Sequence, residues 1–345
     1  MLFIKEDISL ASFNTFKSGG TARYFAEALS LDDIRTALSF SKKESIPFLI
    51  LGEGSNILIS DSGFPGLVIK ITTSGIHFKT KDADTTLVTA AAGVHFDSLV
   101  SESVSRGLHG IENLSGIPGT VGAAPVQNIG AYGTEIKDTL FSVEVFDIES
   151  AKIFSLSPEE CELSYRSSIF KKKKGSGLVV LSVTFLLTKT APLLTSYRDI
   201  RTYLAEHTIE NPDVSDIRRI ILDIRSKKLP PLDQYGTAGS FFKNIILSRK
   251  EADILQKSFP AMPMFSLVSG EKKIPTAWIL DNVCGLKGFK KDSVGLYERQ
   301  PLAIVNLGGA KSLAIKEMSD FVIDSVRKKT GVILEPEVCF IGDFK

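Results

Sequence analysis

Three short islands hold the residues best suited to chemistry. SYRSSIFK (164–171) sets Tyr165 and Arg166 beside two serines, GTAGSFFKN (236–244) places Ser240 between a small-residue turn and two phenylalanines, and LEPEV (334–338) flanks Pro336 with Glu335 and Glu337. An arginine is a bidentate partner for a carboxylate or phosphate. A serine hydroxyl donates a proton in a preorganised site. A carboxyl drawn from water on a buried strand has its pKa raised toward that of a general acid. Each has a plainer alternative: a solvated arginine at a strand end, a turn serine, a glutamate facing water. Ser240 lacks the GxSxG order and no His–acid pair is positioned by sequence to activate it, which argues against a serine hydrolase.

Two small-residue segments accompany these islands, LGEGSN (51–56) and GIPGTVGAAPVQNIGAYG (116–133). The second holds five glycines, three alanines and two prolines, with Tyr132 its one bulky aromatic. Such a stretch suits neither a regular helix nor a long strand, and its glycines permit φ > 0 and close backbone approach, as in an anion nest. Neither segment is a Walker loop, and the spacing of Gly116, Gly119 and Gly122 is not GxGxxG. A flat, phosphate-bearing ligand is the reading that suits two such segments flanked by strands; ordinary turns are the alternative.

The elements that must carry these residues follow from hydrophobic periodicity. Helices are expected at 31–43, 96–108, around Ile217, Ile220, Ile221 and Ile224, at 276–285, and over Ala314–Val326 up to Gly331. Strands are expected at 46–51, 66–71, 87–93, 177–189 and, as a strand–turn–strand unit, 141–157. A final strand over VILEPEVCFI (332–341) closes the chain. The class is α+β, a larger N-terminal region of mixed sheets and a smaller α/β unit.

Bulk properties narrow the partners. The chain has 345 residues, 43% hydrophobic, with a formal charge of +1, so a polyanion is not its main partner and no nucleic-acid role is expected. No segment reads as a signal peptide, and the apolar run at 178–187 is far too short for a bilayer, so a cytoplasmic protein without membrane insertion is expected. Three scattered cysteines (Cys161, Cys284, Cys339) and four histidines without ligand spacing give neither a disulfide framework nor a metal site. The thiols are read as buried and structural. The run Lys171–Lys174 reads as a solvated loop, with a role toward a phosphate group as the alternative.

Seven islands in order (NTFKSGGTARYF, LGEGSNILI, IPGTVGAAPVQNIGAYG, YRSSIFK, KKLPP, AGSFFKN and EPEV) resemble the UDP-N-acetylenolpyruvoylglucosamine reductases, flavoenzymes of peptidoglycan precursor synthesis. The resemblance covers about residues 13–342, and TSYRDI (195–200) resembles the longer family type, in which a tyrosine on an extra loop closes over the substrate. It implies a two-part FAD-binding domain of the vanillyl-alcohol-oxidase (PCMH) type plus a smaller α/β substrate domain. The divisions it implies are 1–72 and 73–214 for the two FAD-binding parts, 215–330 for the substrate domain, and 331–345 for a C-terminal strand returning to the FAD-binding region with the catalytic glutamate.

By the same resemblance, NADPH reduces UDP-N-acetylglucosamine enolpyruvate to UDP-N-acetylmuramate through FAD. Arg166 faces the substrate carboxylate, Glu337 shares stabilisation of the enolate, and Ser240 supplies the proton. Gly52, Glu53, Gly54, Ser55, Asn56, Ser115, Gly116, Ile117, Pro118, Gly119, Gly122, Ala123, Asn128, Ala131, Tyr132 and Arg225 match cofactor positions, their N–H groups offsetting the pyrophosphate. Tyr165, Tyr197, Lys228 and Asn244 match substrate positions, and no metal and a monomer are expected. The chain departs from the family in carrying Thr237 for asparagine, Ile245 for proline and Cys339 for arginine, which bears on fine contacts to flavin and nucleotide. The rivals are another FAD oxidase sharing only the cofactor domain, which leaves AGSFFKN and EPEV unexplained, and a non-catalytic nucleotide sensor, which the presence of Arg166, Ser240 and Glu337 disfavours.

Overall fold

Residues 2–344 are described by a computed structural model. They divide into two compact units, each discontinuous in sequence: one takes the N-terminal residues to Ile8, Arg23–Glu53 and Pro65–Ser226, the other Ser9–Ala22, Gly54–Phe64 and everything from Lys227 onward. Elements are numbered in chain order.

The first unit holds two larger sheets and a two-stranded hairpin. Strands β1 (Ile4–Ser9), β2 (Thr21–Ala28), β3 (Phe48–Leu51) and β5 (Phe64–Ile71) form one in the order β1-β2-β5-β3, with β3 parallel to β5. Helix α1 (Leu31–Lys43) presents Ile34, Ala37 and Leu38 to the core, and the Ser30 hydroxyl accepts from the Asp33 N–H at its start. Asp32 and Asp33 in its first turn and Lys42 and Lys43 in its last suit the helix dipole. The second sheet, β11-β10-β12-β7-β6, is antiparallel and built on β12 (Leu178–Thr188), with β6 (Ile76–Thr80), β7 (Thr85–Ala91), β10 (Leu140–Asp147) and β11 (Ile153–Leu156). Alternation along β12 buries Val183, Phe185 and Leu187. Phe185 meets Phe96 of α2 (Phe96–Ser105) edge-on, the ring centroids 6.4 Å apart. Between α2 and β10 run tight turns, the one-turn α3 (Ala124–Gln127) and a hairpin of β8 (Gly130–Ala131) and β9 (Thr134–Glu135). Helices α4 (Arg198–Glu206) and α5 (Val214–Lys228) meet through Ile200, Ile217, Ile220 and Ile221.

The second unit packs α6 (Arg249–Ser258), the short α7 (Thr276–Trp278) and α8 (Ser312–Thr330) with three small sheets. Strands β13 (Ile245–Leu247), β14 (Phe265–Ser266) and β15 (Lys272–Ile274) form one, and β16 (Lys290–Lys291), β17 (Val294–Leu296) and β18 (Ile304–Asn306) another. In the third, β19 (Cys339–Ile341) lies parallel to β4 (Ile57–Ile59). Phe16 and Leu58, from the N-terminal quarter of the sequence, share a core with Phe241, Phe242, Ile304 and Val322. The first two N–H groups of α8 donate to Asp61, at 2.9 Å each, while the residue before the helix makes no side-chain cap. A carboxylate from 250 residues upstream therefore does the capping.

Two elements differ from expectation. The final strand covers only Cys339–Ile341; Pro336 lacks an N–H, and it makes a single bridge to Phe242 in place of a ladder. The helix expected over 276–285 is one α-turn followed by a π-helical stretch, Ile279–Val283. Most of α5 lies in the first unit, where its isoleucines pack on α4.

Candidate active site

In the first unit the glycine-rich segment is a chain of tight turns, and much of what approaches its backbone is the protein itself. Gly116 has φ +72°, and a Cβ there would lie 2.9 Å from Leu222 Cδ2 and 3.1 Å from Arg225 Nε. A Cβ on Gly122 would lie 2.6 Å from that of Ala92. The N–H of Gly116 donates to Asp97 Oδ1 at 2.6 Å, and that of Gly119 to Glu53 Oε2 at 2.7 Å. The N–H groups of Val121, Gly122 and Ala123 bond to the carbonyls of Val94, Ala92 and Thr120. The expected cradle of free N–H groups is therefore largely spent on holding these turns in shape. Asn128 Oδ1, by contrast, is a buried acceptor without a hydrogen-bond partner. An acceptor in this segment fits a hydroxyl or imide donor of a flavin nucleotide.

Asp97 joins several elements. It takes Arg218 bidentately at 2.6 and 2.9 Å as well as the Gly116 N–H. Burial alone would raise its carboxyl, but the Arg218 hydrogen bond, the Gly116 N–H and the nearby Arg225 charge outweigh it and hold the group below 3.8. Two helical turns beyond Arg218, Arg225 bonds the Tyr132 phenol, whose pKa burial pushes up to about 12. Tyr132 and Gly133 form the two-residue turn of the β8–β9 hairpin with φ of +50° and +88°, the left-handed pair such a turn demands. The Tyr197 ring, 42% exposed, meets Tyr132 edge-on with centroids 5.3 Å apart.

Arg166 also stands at positive φ, +53°, an uncommon conformation for a non-glycine residue. Its Nη2 donates to the Gly130 carbonyl at 3.2 Å, and its Cζ lies 5.8 Å from the centroid of the Tyr165 ring. The loop is tied down on both sides. Asn128 Nδ2 reaches Glu135 at 2.8 Å and the Ser164 carbonyl at 3.0 Å, and Ser168 donates to the Val126 carbonyl at 2.8 Å. Lys171 bonds Gln127 Oε1 and, at 3.1 Å, the Arg166 carbonyl, while Lys172 and Lys174 both clamp Glu162. All four lysines of the run are exposed, and Lys171, Lys172 and Lys174 engage carboxylate, amide and carbonyl acceptors at that surface.

The second unit collects Ser240, Glu337, Asn244 and Asn56. Phe242 bridges Pro336, the Glu337 N–H donates to the Phe241 carbonyl at 2.8 Å, and the Lys243 N–H donates to the Glu335 carbonyl at 3.0 Å. That register sets Ser240 and Glu337 on adjacent antiparallel segments, both half-buried. Asn56 Nδ2 donates to the Glu337 carbonyl at 3.1 Å and its own carbonyl accepts from the Cys339 N–H at 3.0 Å. Glu335 points outward to pair with Lys243. Asn244 Oδ1 accepts from the N–H of Thr276 at the start of α7. Thr237, where an asparagine was expected, donates to the Ile304 carbonyl at 2.9 Å and accepts from the Gly239 N–H, so its hydroxyl shapes the turn before Ser240.

Gly52 and Glu53 belong to the first unit with Ser115, Ile117, Pro118, Ala123, Ala131 and Tyr165, whereas Gly54, Ser55 and Lys228 belong to the second. Only Cys161 is fully buried; Cys284 is half-buried and Cys339 exposed on the short edge strand, which corrects the reading of three buried thiols. Sequence reasoning passed over Asp97, Arg218, Asn113 and Asp61. The seven-residue spacing of Arg218 and Arg225, which puts them on one helix face, was the available signal for the first pair. Among the described residues no group of three or more His, Cys, Asp and Glu is disposed to hold a metal, and no helix is long and apolar enough to cross a membrane.

The profile of an FAD binding domain matches residues 22–157, and that of the UDP-N-acetylenolpyruvoylglucosamine reductase C-terminal domain matches 230–341. Over 337 residues the chain is 38% identical to the UDP-N-acetylenolpyruvoylglucosamine reductase of Chromobacterium violaceum, covering 97% of this chain and 98% of that one. It belongs to this reductase family. The Amoebophilus asiaticus member is 39% identical over 338 residues, covering 98% and 99% of the two chains. A crystal structure of the Thermus caldophilus reductase is similar in fold with a TM-score of 0.68 at 23% identity, covering 99% and 100%. The architecture is accordingly α+β, an FAD binding domain followed by the reductase C-terminal domain, and the chain is an FAD-dependent oxidoreductase.

Proposed function

We propose that this reductase uses NADPH to convert UDP-N-acetylglucosamine enolpyruvate to UDP-N-acetylmuramate, acting as a cytoplasmic monomer in peptidoglycan precursor synthesis. End-to-end identity to reductases of that name supports the substrate. What carries the reading from family to chemistry is the register that sets Ser240 and Glu337 on adjacent segments. When bound, FAD supplies the hydride relay between the nicotinamide and the vinyl carbon.

The chain's own residues have four tasks. The 52–56 and 115–133 segments with Arg225 hold the cofactor, the buried acceptor of Asn128 suiting its donors. Arg166, fixed by Gly130 and Lys171, binds the substrate carboxylate as a bidentate cation and draws off the charge that builds there. Glu337 in its protonated form shares that charge by donating a hydrogen bond. Ser240 gives its proton to the α-carbon. A hydroxyl is a weak acid, so this transfer works only against a strongly basic carbanion-like centre from a fixed position. Tyr165, Tyr197, Lys228 and Asn244 orient the sugar nucleotide. The 215–330 region then serves the substrate and the 1–72 and 73–214 regions the cofactor, with 331–345 returning Glu337.

The test is the visible flavin spectrum under anaerobic conditions. NADPH is expected to bleach it, and the enolpyruvyl sugar nucleotide to restore it. Bleaching without recovery overturns the substrate; absence of flavin after reconstitution with FAD overturns the cofactor reading. In Ser240→Ala, bleaching is expected to persist while recovery slows by about 10²–10⁴-fold. Recovery at the wild-type rate would make Ser240 a turn residue only.

A further inference from the structure

Residues 189–197 connect β12 to α4 and carry Tyr197 at their end. They are stapled to the 109–113 stretch rather than looping freely. His109 exchanges backbone hydrogen bonds with Thr188, at 2.6 and 3.3 Å, and its ring Nδ1 donates to the Ala191 carbonyl at 2.8 Å. Asn113 is fully buried and spends both amide protons on carbonyls, those of Leu194 and Tyr132, each at 3.0 Å. The Leu194 side chain lies where a Cβ on Gly133 would come within 2.9 Å. One amide therefore joins the turn that presents Tyr132 to the segment that presents Tyr197, and the two rings meet edge-on.

We propose that Asn113 is a positioning residue: it locks the root of the Tyr197 segment to the Tyr132 turn, so that the sugar nucleotide meets Tyr197 already in place. This rests on the substrate role given to Tyr197 above. Fixing a contact group before binding removes the cost of ordering it from the affinity. Truncating Asn113 takes the shared donor from the Leu194 and Tyr132 carbonyls, and the segment is then released toward water.

The test uses the full-length holoenzyme with Asn113→Ala and, where the Leu194 side chain packs on the Gly133 turn beside that amide, Leu194→Ala, which keeps the proposal open to failure if the first variant does not fold. Trypsin cleavage after Lys189 and Arg198, both exposed and flanking the segment, is expected to quicken about ten-fold in either variant. The KM for the enolpyruvyl sugar nucleotide is expected to rise about ten-fold with kcat and the rate of flavin reduction by NADPH unchanged. Unaltered cleavage, an unaltered KM in a folded variant, or a flavin reduction rate that falls in step with KM each overturns it, the last by making Asn113 a residue of the cofactor fold. Should the wild-type protein not turn over this substrate, the proposed function fails, while the trypsin rates still decide whether Asn113 holds the segment.

Discussion

Asp97 shows how a single carboxylate shapes the candidate site without reaching a ligand. It neutralises Arg218 and holds the Gly116 turn. Because the folded carboxyl sits below the ordinary 3.8, its stabilisation is complete above that pH and lost as pH falls through the folded value. Asp97→Asn is expected to cost about 1–2 kcal/mol at pH 7, toward the low end for a charged hydrogen bond, since the carboxylate is 37% exposed. Urea midpoints measured from pH 7 down to pH 3 should show the gap between wild type and variant closing below 3.8; a gap that stays constant would remove the charge from the explanation. Residues of this kind were hidden in the sequence. Arg166, Ser240 and Glu337 stood out because arginine, serine and glutamate lie in short islands of unusual composition. Asn113 did not, since its partners lie 19 and 81 residues away and nothing local distinguishes its amide.

Among elements, legibility followed local physics. Helix α8 was readable because Met318, Val322 and Val326 recur on one buried face and Gly331, at φ +76°, ends it. Long strands such as β12 were readable by alternation. The 332–338 stretch was misread because an apolar run resembles a strand even where a proline removes the ladder, and the π-helical turn at 279–283 carries no periodic signal of its own. The small-residue segment was legible as a place of close approach, but not what approaches it. Two substitutions separate those meanings. Gly122→Ala drives a methyl against Ala92 and is expected to cost about 1–3 kcal/mol and to weaken flavin retention. Ser248→Ala removes the hydroxyl of the capping box that starts α6 and is expected to cost about 1 kcal/mol with flavin titration unaltered. Equal flavin affinity in both variants, measured by fluorescence quenching, would count against a cofactor role for the 115–133 turns.

On the scale of the whole molecule, the order of islands along the chain disclosed the family, but the discontinuous assembly of the second unit was out of reach. Phe16, Leu58 and Asp61 read as N-terminal residues, yet they complete the core and the helix cap of a unit otherwise made after residue 227. A fragment of residues 227–345 lacks them. It is expected to show helical far-UV dichroism without near-UV structure and to be digested rapidly by protease; a cooperatively unfolding fragment would show that the N-terminal contributions are dispensable.

The pairing of β4 with β19 has a consequence in time. Ile57 leaves the ribosome about 280 residues before Cys339 is made, and at roughly 5–20 residues per second that is about a quarter of a minute to a minute. For that interval the nascent chain carries an open strand edge and two orphaned apolar side chains, Phe16 and Leu58. Birth, rather than maturity, is when this protein most needs a chaperone.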